Sequence, residues 1–181
     1  MSTYVVLLRG VMPSGKNKVP MAQLREVLSD AGFDNVRTYI QSGNALLDSS
    51  LLHDEIESAV HKLIKEKIGP DLAVMARTGE QLQKVLDNNP YQQRHATSRM
   101  FFVLFSEPPP SRKVGGLLGQ DYGEEELAIT EDAAYLLIPG TYGRGRLSSN
   151  FLERKLGVAA TMRNFNTLSR LVEMSRPSEG S

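Results

Sequence analysis

The chain contains no cysteine. That excludes disulfides, thiolate nucleophiles and sulfur-ligated metals together. Histidine is scarce as well, with only His53, His61 and His95. The first two fall eight apart on an expected helix, wider than the i, i+4 spacing of a helical metal pair, so neither metal nor cofactor is expected. Net charge is missing too: 21 bases balance 21 acids, which argues against a nucleic-acid partner held by bulk electrostatics. No apolar run approaches the ~18 to 20 residues that span a bilayer. The opening "MSTYVVLLRG" lacks a basic n-region and a signal-length apolar stretch, so no membrane association is expected and the expected location is cytoplasmic.

What is present is ordinary material for a globular chain of 181 residues with 40% apolar content, enough for one sizeable core or two small ones. "TYVVLLR" (3 to 9) reads as a strand buried on both faces. Met21, Leu24, Leu28 and Ala31 then recur at helical spacing from Pro20, and Gly32 ends that helix. "NVRTYIQ" and "NALLD" read as two strands joined at "SGN". Leu52, Ile56, Val60 and Leu63 mark a second helix, "DLAVMAR" a fourth strand, and Leu82, Val85 and Leu86 a third helix. The order is β-α-β-β-α-β with one helix appended.

The same order then repeats. "RMFFVLFS" is a strand, "PSRKVGGLL" a short helix, and "EELAIT" and "AAYLLIP" a hairpin. "NFLERKLG" begins a helix with Asn150 as expected cap and Glu153 three residues on. "VAATMR" and "NFNTLSRLVEM" supply the last strand and helix. Arg77, Leu82, Val85 and Leu86 match Arg163, Leu168, Leu171 and Val172 at a constant offset of 86. The expected fold is therefore α+β, a tandem duplication of two ferredoxin-like units. The first is expected over 1–94 and the second over 95–175, with a disordered tail over 176–181. The doubly apolar first strands imply that the sheet faces without their own helices are covered.

Duplicated units bury similar cores, so function is sought where they differ. Between first strand and first helix, the first unit has "GVMPSGKNKV" and the second only "EPP". Between third strand and second helix the asymmetry reverses, with "DSS" against "GTYGRGRLSS". Connections of this kind run ~2 to 6 residues, and longer ones are more often functional. Both long loops are expected to leave the carboxyl ends of the central parallel strands, the edge where open α/β sheets bind ligands. Their glycines permit unusual backbone angles, and Lys16, Lys18, Arg144 and Arg146 can meet an anion. Arg9 and Arg37 are expected near the same edge. Acids also cluster: "DYGEEELAITED" (121 to 132) has six acids and no base, while 140–170 holds six bases against Glu153 alone. The two regions read as solvated surfaces of opposite sign, or as an acidic hairpin facing a basic rim.

"GVMPSGKN" spells Gly-x-x-x-x-Gly-Lys, the start of a phosphate-binding P-loop. A P-loop needs its helix to begin at that Gly-Lys, so that backbone N–H groups wrap the phosphates. Here Pro20 delays the helix, and Asn17 stands where a magnesium-binding hydroxyl belongs, so a nucleotide hydrolase is not expected. Alternation along the second strand places Arg37, Tyr39 and Gln41 on one side, with Asn44 beyond the hairpin. They read either as a polar platform beside a basic loop, or as plain surface residues beside a turn.

"LLRGVMPSGKNKVPMAQLREVLSDAGFDNVRTYIQSGNALLDS" and the far "LGVAATMRNFNTLSRL" resemble the opening and closing motifs of the bacterial family catalogued as domain of unknown function 1697. The chain departs from the family's commoner pattern at Val11 to Ser14 and at Phe165. The resemblance implies a pair of ferredoxin-like domains and brings no established activity, so no catalytic residue is carried over. The residues themselves favour a binding module for a phosphorylated or otherwise anionic ligand. The anion-binding candidates are Arg9, Lys16, Asn17, Lys18, Arg37, Arg144 and Arg146, with Tyr39, Gln41 and Asn44 as polar platform. The alternatives are an enzyme on a small anionic substrate and a protein-interaction or regulatory domain using the acidic hairpin. No nucleophile with an adjacent base is apparent.

Overall fold

The apolar opening run forms β1 (Ser2–Leu8), and the repeating pattern after it builds α1 (Met21–Asp30), β2 (Asp34–Thr38), β3 (Asn44–Ser49), α2 (His53–Lys67), β4 (Val74–Thr78) and α3 (Gly79–Asp87). The second copy comprises β5 (Met100–Phe105), α4 (Ser111–Leu118), β6 (Glu126–Ile129), β7 (Ala133–Leu137), α5 (Ser149–Leu156), β8 (Ala160–Asn164) and α6 (Phe165–Ser175). These elements come from a computed structural model that describes residues 1–93 and 95–179. The two four-stranded sheets have equivalent orders, β2-β3-β1-β4 and β6-β7-β5-β8. The fold is thus two ferredoxin-like β-α-β-β-α-β repeats, each with an appended helix. Among the described residues no helix is long and apolar enough to cross a membrane.

Packing groups the chain into one unit of Met1–Gln83 together with the chain from Arg170, and a second of Lys84–Ser169. The repeated element order sets the expected boundary at 94/95 instead, where Arg94 lies outside the described residues, as do 180 and 181 of the expected tail. In the first unit, Tyr4, Val6 and Leu8 of β1 pack with Leu24 and Leu28 of α1 and Ile56, Val60 and Ile64 of α2. Val5, Leu7, Leu46 and Met75, on the opposite sheet face, are also fully buried. Each such side chain contributes roughly 1.5 to 3 kcal/mol, and period-two alternation delivers it to both faces at once. The end of α6 lies against this unit: Arg37 Nη1 donates to Met174 O at 2.8 Å, and Ser175 packs on Gly79.

In the second unit Val103, Phe105, Ala134 and Leu136 pack with Leu152 and Leu156 of α5. Tyr135, fully buried on the other face, donates its hydroxyl to Val85 O at 2.8 Å. Burial pushes that phenol up to about 12. A folded pKa above the unfolded value of ~10 gives stability that is complete below pH ~10 and lost as pH climbs through 12. Tyr135→Phe is therefore expected to cost about 1 kcal/mol at neutral pH and to remove part of the alkaline loss. Urea unfolding at pH 8 and pH 11 checks this; an unchanged alkaline profile in the variant would assign the loss to another group.

Duplication extends to details. Arg77 and Arg163, matched from sequence, both occupy the fourth position of the last strand of their unit. Arg77 pairs with Glu57 at 3.0 Å. Arg163 donates to Thr161 Oγ1 and Met162 O, both at 2.8 Å, and burial lowers its pKa to about 10. In each unit a glutamate of the second helix closes an edge strand: Glu57 accepts from Ala76 N at 2.9 Å and Glu153 from Ala160 N at 3.4 Å. An edge strand leaves a row of backbone N–H groups open to stray pairing, and a carboxylate on that row blocks it.

Three expectations need correction. The first and third strands of each unit are central but antiparallel, in the registers Tyr4↔Leu47 and Phe102↔Tyr135. A helical crossover keeps β2 parallel to β1, and the hairpin then reverses β3. The carboxyl ends of first and third strands therefore lie at opposite edges of a sheet, so the two long loops leave non-equivalent edges of the repeats. The α5 cap is Ser148, whose hydroxyl accepts from Phe151 N at 3.1 Å; Asn150 already lies inside the helix. Finally, Arg37 is level with Leu46 and, through it, with Val5, four residues short of Arg9.

Candidate functional site

At the edge of the first sheet where β1 ends, four chain segments meet. Leu8 N donates to Gly43 O at 2.9 Å and Arg9 N to Ala73 O at 3.0 Å, so the starts of β3 and β4 frame the exit of β1. Gly10 turns the chain with φ 76°. The excursion that follows is closed on itself: Met12 N donates to Asn17 O at 3.0 Å, and Lys18 N to Gly15 O at 3.3 Å around Gly15 at φ 82°. Buried Val19 anchors its return. Lys16 and Lys18 are exposed and Asn17 is half-buried.

The excursion feeds α1 through Pro20, whose side chain makes no cap hydrogen bond, and no acid stands in the first turn. Proline has neither a side-chain acceptor nor an N–H, so the first helical N–H groups keep their partial positive charge facing outward. From Met1 to Arg25 the chain has the bases Arg9, Lys16, Lys18 and Arg25 and no acid. Arg25, which the sequence did not single out, reaches from α1 to hydrogen-bond Thr38 Oγ1.

The segment after β2 packs onto this loop. β2 stops at Thr38 and Ile40 adopts φ 49°, so the alternation expected to align Arg37, Tyr39 and Gln41 is broken. Asn44 is fully buried and donates its amide to Tyr39 O at 3.1 Å and Ser42 Oγ at 2.9 Å. Tyr39 N donates back to Asn44 O at 3.0 Å. Asn44 is therefore the internal staple of the turn rather than part of a ligand platform. Gly43 has φ 87°, and a Cβ there would stand 2.8 Å from Val11 Cγ2 and 2.9 Å from Leu8 Cβ. A glycine is required for the two loops to touch. Tyr39 is half-buried, and Gln41 is exposed. Arg37 is turned away, donating to Met174 O and Asn35 O.

The long loop of the second unit is built differently. Arg144 N donates to Thr141 O at 3.3 Å in a turn at Gly143, φ 88°, and the Arg144 side chain is exposed. Arg146 is held within the unit: Nη2 donates to Gln120 Oε1 at 2.6 Å, and the guanidinium lies 4.8 Å over the Tyr122 ring. Burial raises the Tyr122 phenol, opposed by the neighbouring Arg146 guanidinium. Glu125 Oε1 accepts from Leu147 N at 3.5 Å and abuts Gly145. Within this one unit, Glu125 of the acidic segment thus reaches the backbone of the basic loop. Of the two loops, the first lies in a stretch, Met1 to Arg25, that carries bases and no acid of its own.

Two clefts of the first unit, about 520 and 510 Å³, involve none of the candidates. One is lined by Phe33, Asp34, Asp48 and Leu63, the other by Ser2, Thr78, Gln83 and Arg176; both lie toward the opposite edge of the sheet, where β1 begins. No group of three or more metal-ligating side chains occurs among the described residues.

A family model described as protein of unknown function (DUF1697) matches residues 1–135. Among solved structures the chain is similar to the conserved bacterial protein SP0830 from Streptococcus pneumoniae, at 21% identity and TM-score 0.69, covering 97% of this chain and 99% of that one. No curated protein matches. At that identity the likeness shows a shared fold.

Proposed function

The chain belongs to the family described as protein of unknown function, DUF1697, and from that premise, which carries no activity, we propose that it is a binding module for a phosphorylated or otherwise anionic ligand. The first unit holds the site, at the edge where the Gly10–Pro20 loop and the Tyr39–Asn44 turn lock together. One observation carries the reading: Lys16 and Lys18 stand on a loop closed by its own hydrogen bonds, with no acid from Met1 to Arg25, leading into a helix start that no side chain caps. Charge-assisted hydrogen bonds from the lysines and the outward N–H groups favour a negative group there. Preorganisation by Asn44 and Gly43 lowers the entropic cost of binding. A cytoplasmic setting, rich in phosphorylated compounds, is part of the proposal.

Differential scanning fluorimetry with phosphate and tripolyphosphate tests it. The wild type is expected to melt several degrees higher with saturating tripolyphosphate. Lys16→Ala/Lys18→Ala, which changes only exposed side chains, is expected to keep the ligand-free melting temperature within about a degree and to lose most of the shift. Adding Arg144→Ala reports whether the second loop contributes. A wild type indifferent to every anion tried would sink the proposal.

A further inference from the structure

Two non-glycine residues among those described have positive φ, Asn35 and Ile40, both at 49°. Asparagine visits that region readily, whereas a β-branched side chain there is a genuine outlier. Burial is the usual compensation, since a side chain that fills a core can hold its backbone in strain. Ile40 has none: it is 51% exposed. What holds it is the turn around it, through the bonds of Asn44 to Tyr39 O and Ser42 Oγ and of Tyr39 N to Asn44 O. The fold thus maintains an unfavourable backbone conformation to stand an aliphatic side chain in water. Such strain, once observed, is a pointer to use.

Met12, 53% exposed, stands on the loop that Gly43 clamps against this turn, the same loop that carries Lys16 and Lys18. A bare anion would use only the lysines and leave the apolar side chains without a task. We infer that the ligand is a nucleoside phosphate, whose phosphates meet Lys16 and Lys18 and whose base lies on Ile40 and Met12. This rests on the anion-binding reading above and narrows it. A phosphorylated lipid would need an apolar cavity for its chain, and neither of the two clefts described above, both toward the opposite edge of the sheet, offers one beside this loop. A planar base needs only a flat apolar face with polar groups at its rim, which exposed Gln41 and Ser42 supply. The shared chemistry fits a free nucleotide and the phosphorylated end of an oligonucleotide alike.

Isothermal titration of the full chain with tripolyphosphate, ATP, UTP and a 5′-phosphorylated uridine tetranucleotide tests the inference. At least one nucleoside triphosphate is expected to bind about tenfold more tightly than tripolyphosphate, the gain expected when a base covers exposed aliphatic side chains. Ile40→Ser and Met12→Ser are expected to erase that advantage and leave tripolyphosphate affinity unchanged, while Lys16→Ala/Lys18→Ala weakens every probe. Ile40→Gly separates use from architecture: it should raise the melting temperature by relieving the strain and still lose the advantage. Preference for the tetranucleotide would assign the site to an oligonucleotide end, and preference for ATP or UTP to a free nucleotide. Equal affinity for tripolyphosphate and all nucleotides, or full nucleotide affinity in Ile40→Ser, overturns the inference while the anion site stands. Failure of every probe removes both.

Discussion

Gly43→Ala is expected to destabilise the protein by about 3 kcal/mol and to uncouple the candidate site from its support. Two costs combine. At φ 87° an alanine pays about 1 to 2 kcal/mol for the left-handed backbone. Its Cβ would also stand 2.8 Å from Val11 Cγ2, 2.9 Å from Leu8 Cβ and 3.3 Å from Leu8 O, and overpacking of this kind costs roughly 1 to 3 kcal/mol. Leu8 cannot give way, because its N–H is bonded to Gly43 O and its side chain is fully buried. Gly10→Ala is the control: φ is 76° but nothing lies within 4 Å of its Cβ, so only the backbone cost of about 1 to 2 kcal/mol applies. Urea unfolding of both variants measures the difference. If the two lose equal stability, the packing of the loops on each other contributes nothing.

Gly79→Ala should cost about 2 kcal/mol, although alanine is normally the better helix former by about 1 kcal/mol. A Cβ on Gly79 would overlap Ser175 Oγ and stand 3.0 Å from Ser175 Cβ. The serine hydroxyl is fixed by donation to Val172 O at 2.6 Å and is buried. Ser175→Gly should relieve the overlap, and the double variant should recover most of the loss, with a coupling above about 1 kcal/mol in a double-mutant cycle. Ser175→Ala keeps the Cβ and should recover less. Independent, additive effects would show that the end of α6 does not press on Gly79.

Much of this was legible in the sequence where one residue's environment repeats along an element. The buried run of β1, the Leu24–Leu28 spacing of α1 and the Arg77/Arg163 match each carry a periodicity or an offset that a linear reading can count. The duplicated fold follows from those, whereas the family resemblance rests on the opening and closing motifs themselves. What escaped depends on chain direction or on one contact in space. Element order alone does not announce that β1 and β3 run oppositely; that follows from composing a crossover with a hairpin. Alternation past Thr38 failed because Asn44, five residues beyond Tyr39, draws the backbone into a closed turn. Arg146 looked like a free base, yet Gln120 and Tyr122 had already engaged it. Gly43 carried a legible signal as a hairpin glycine, but its neighbour Val11 could be known only from the fold.

The chain from Arg170 returns to the first unit, and this has a bearing on how the protein comes to be made. A ribosome releases β1 to β4 long before it has translated Met174 and Ser175, so the nascent first unit waits, incomplete, for residues made only after the whole of the second. A premature stop ahead of Arg170 would therefore injure the half of the molecule farthest from it in translation order.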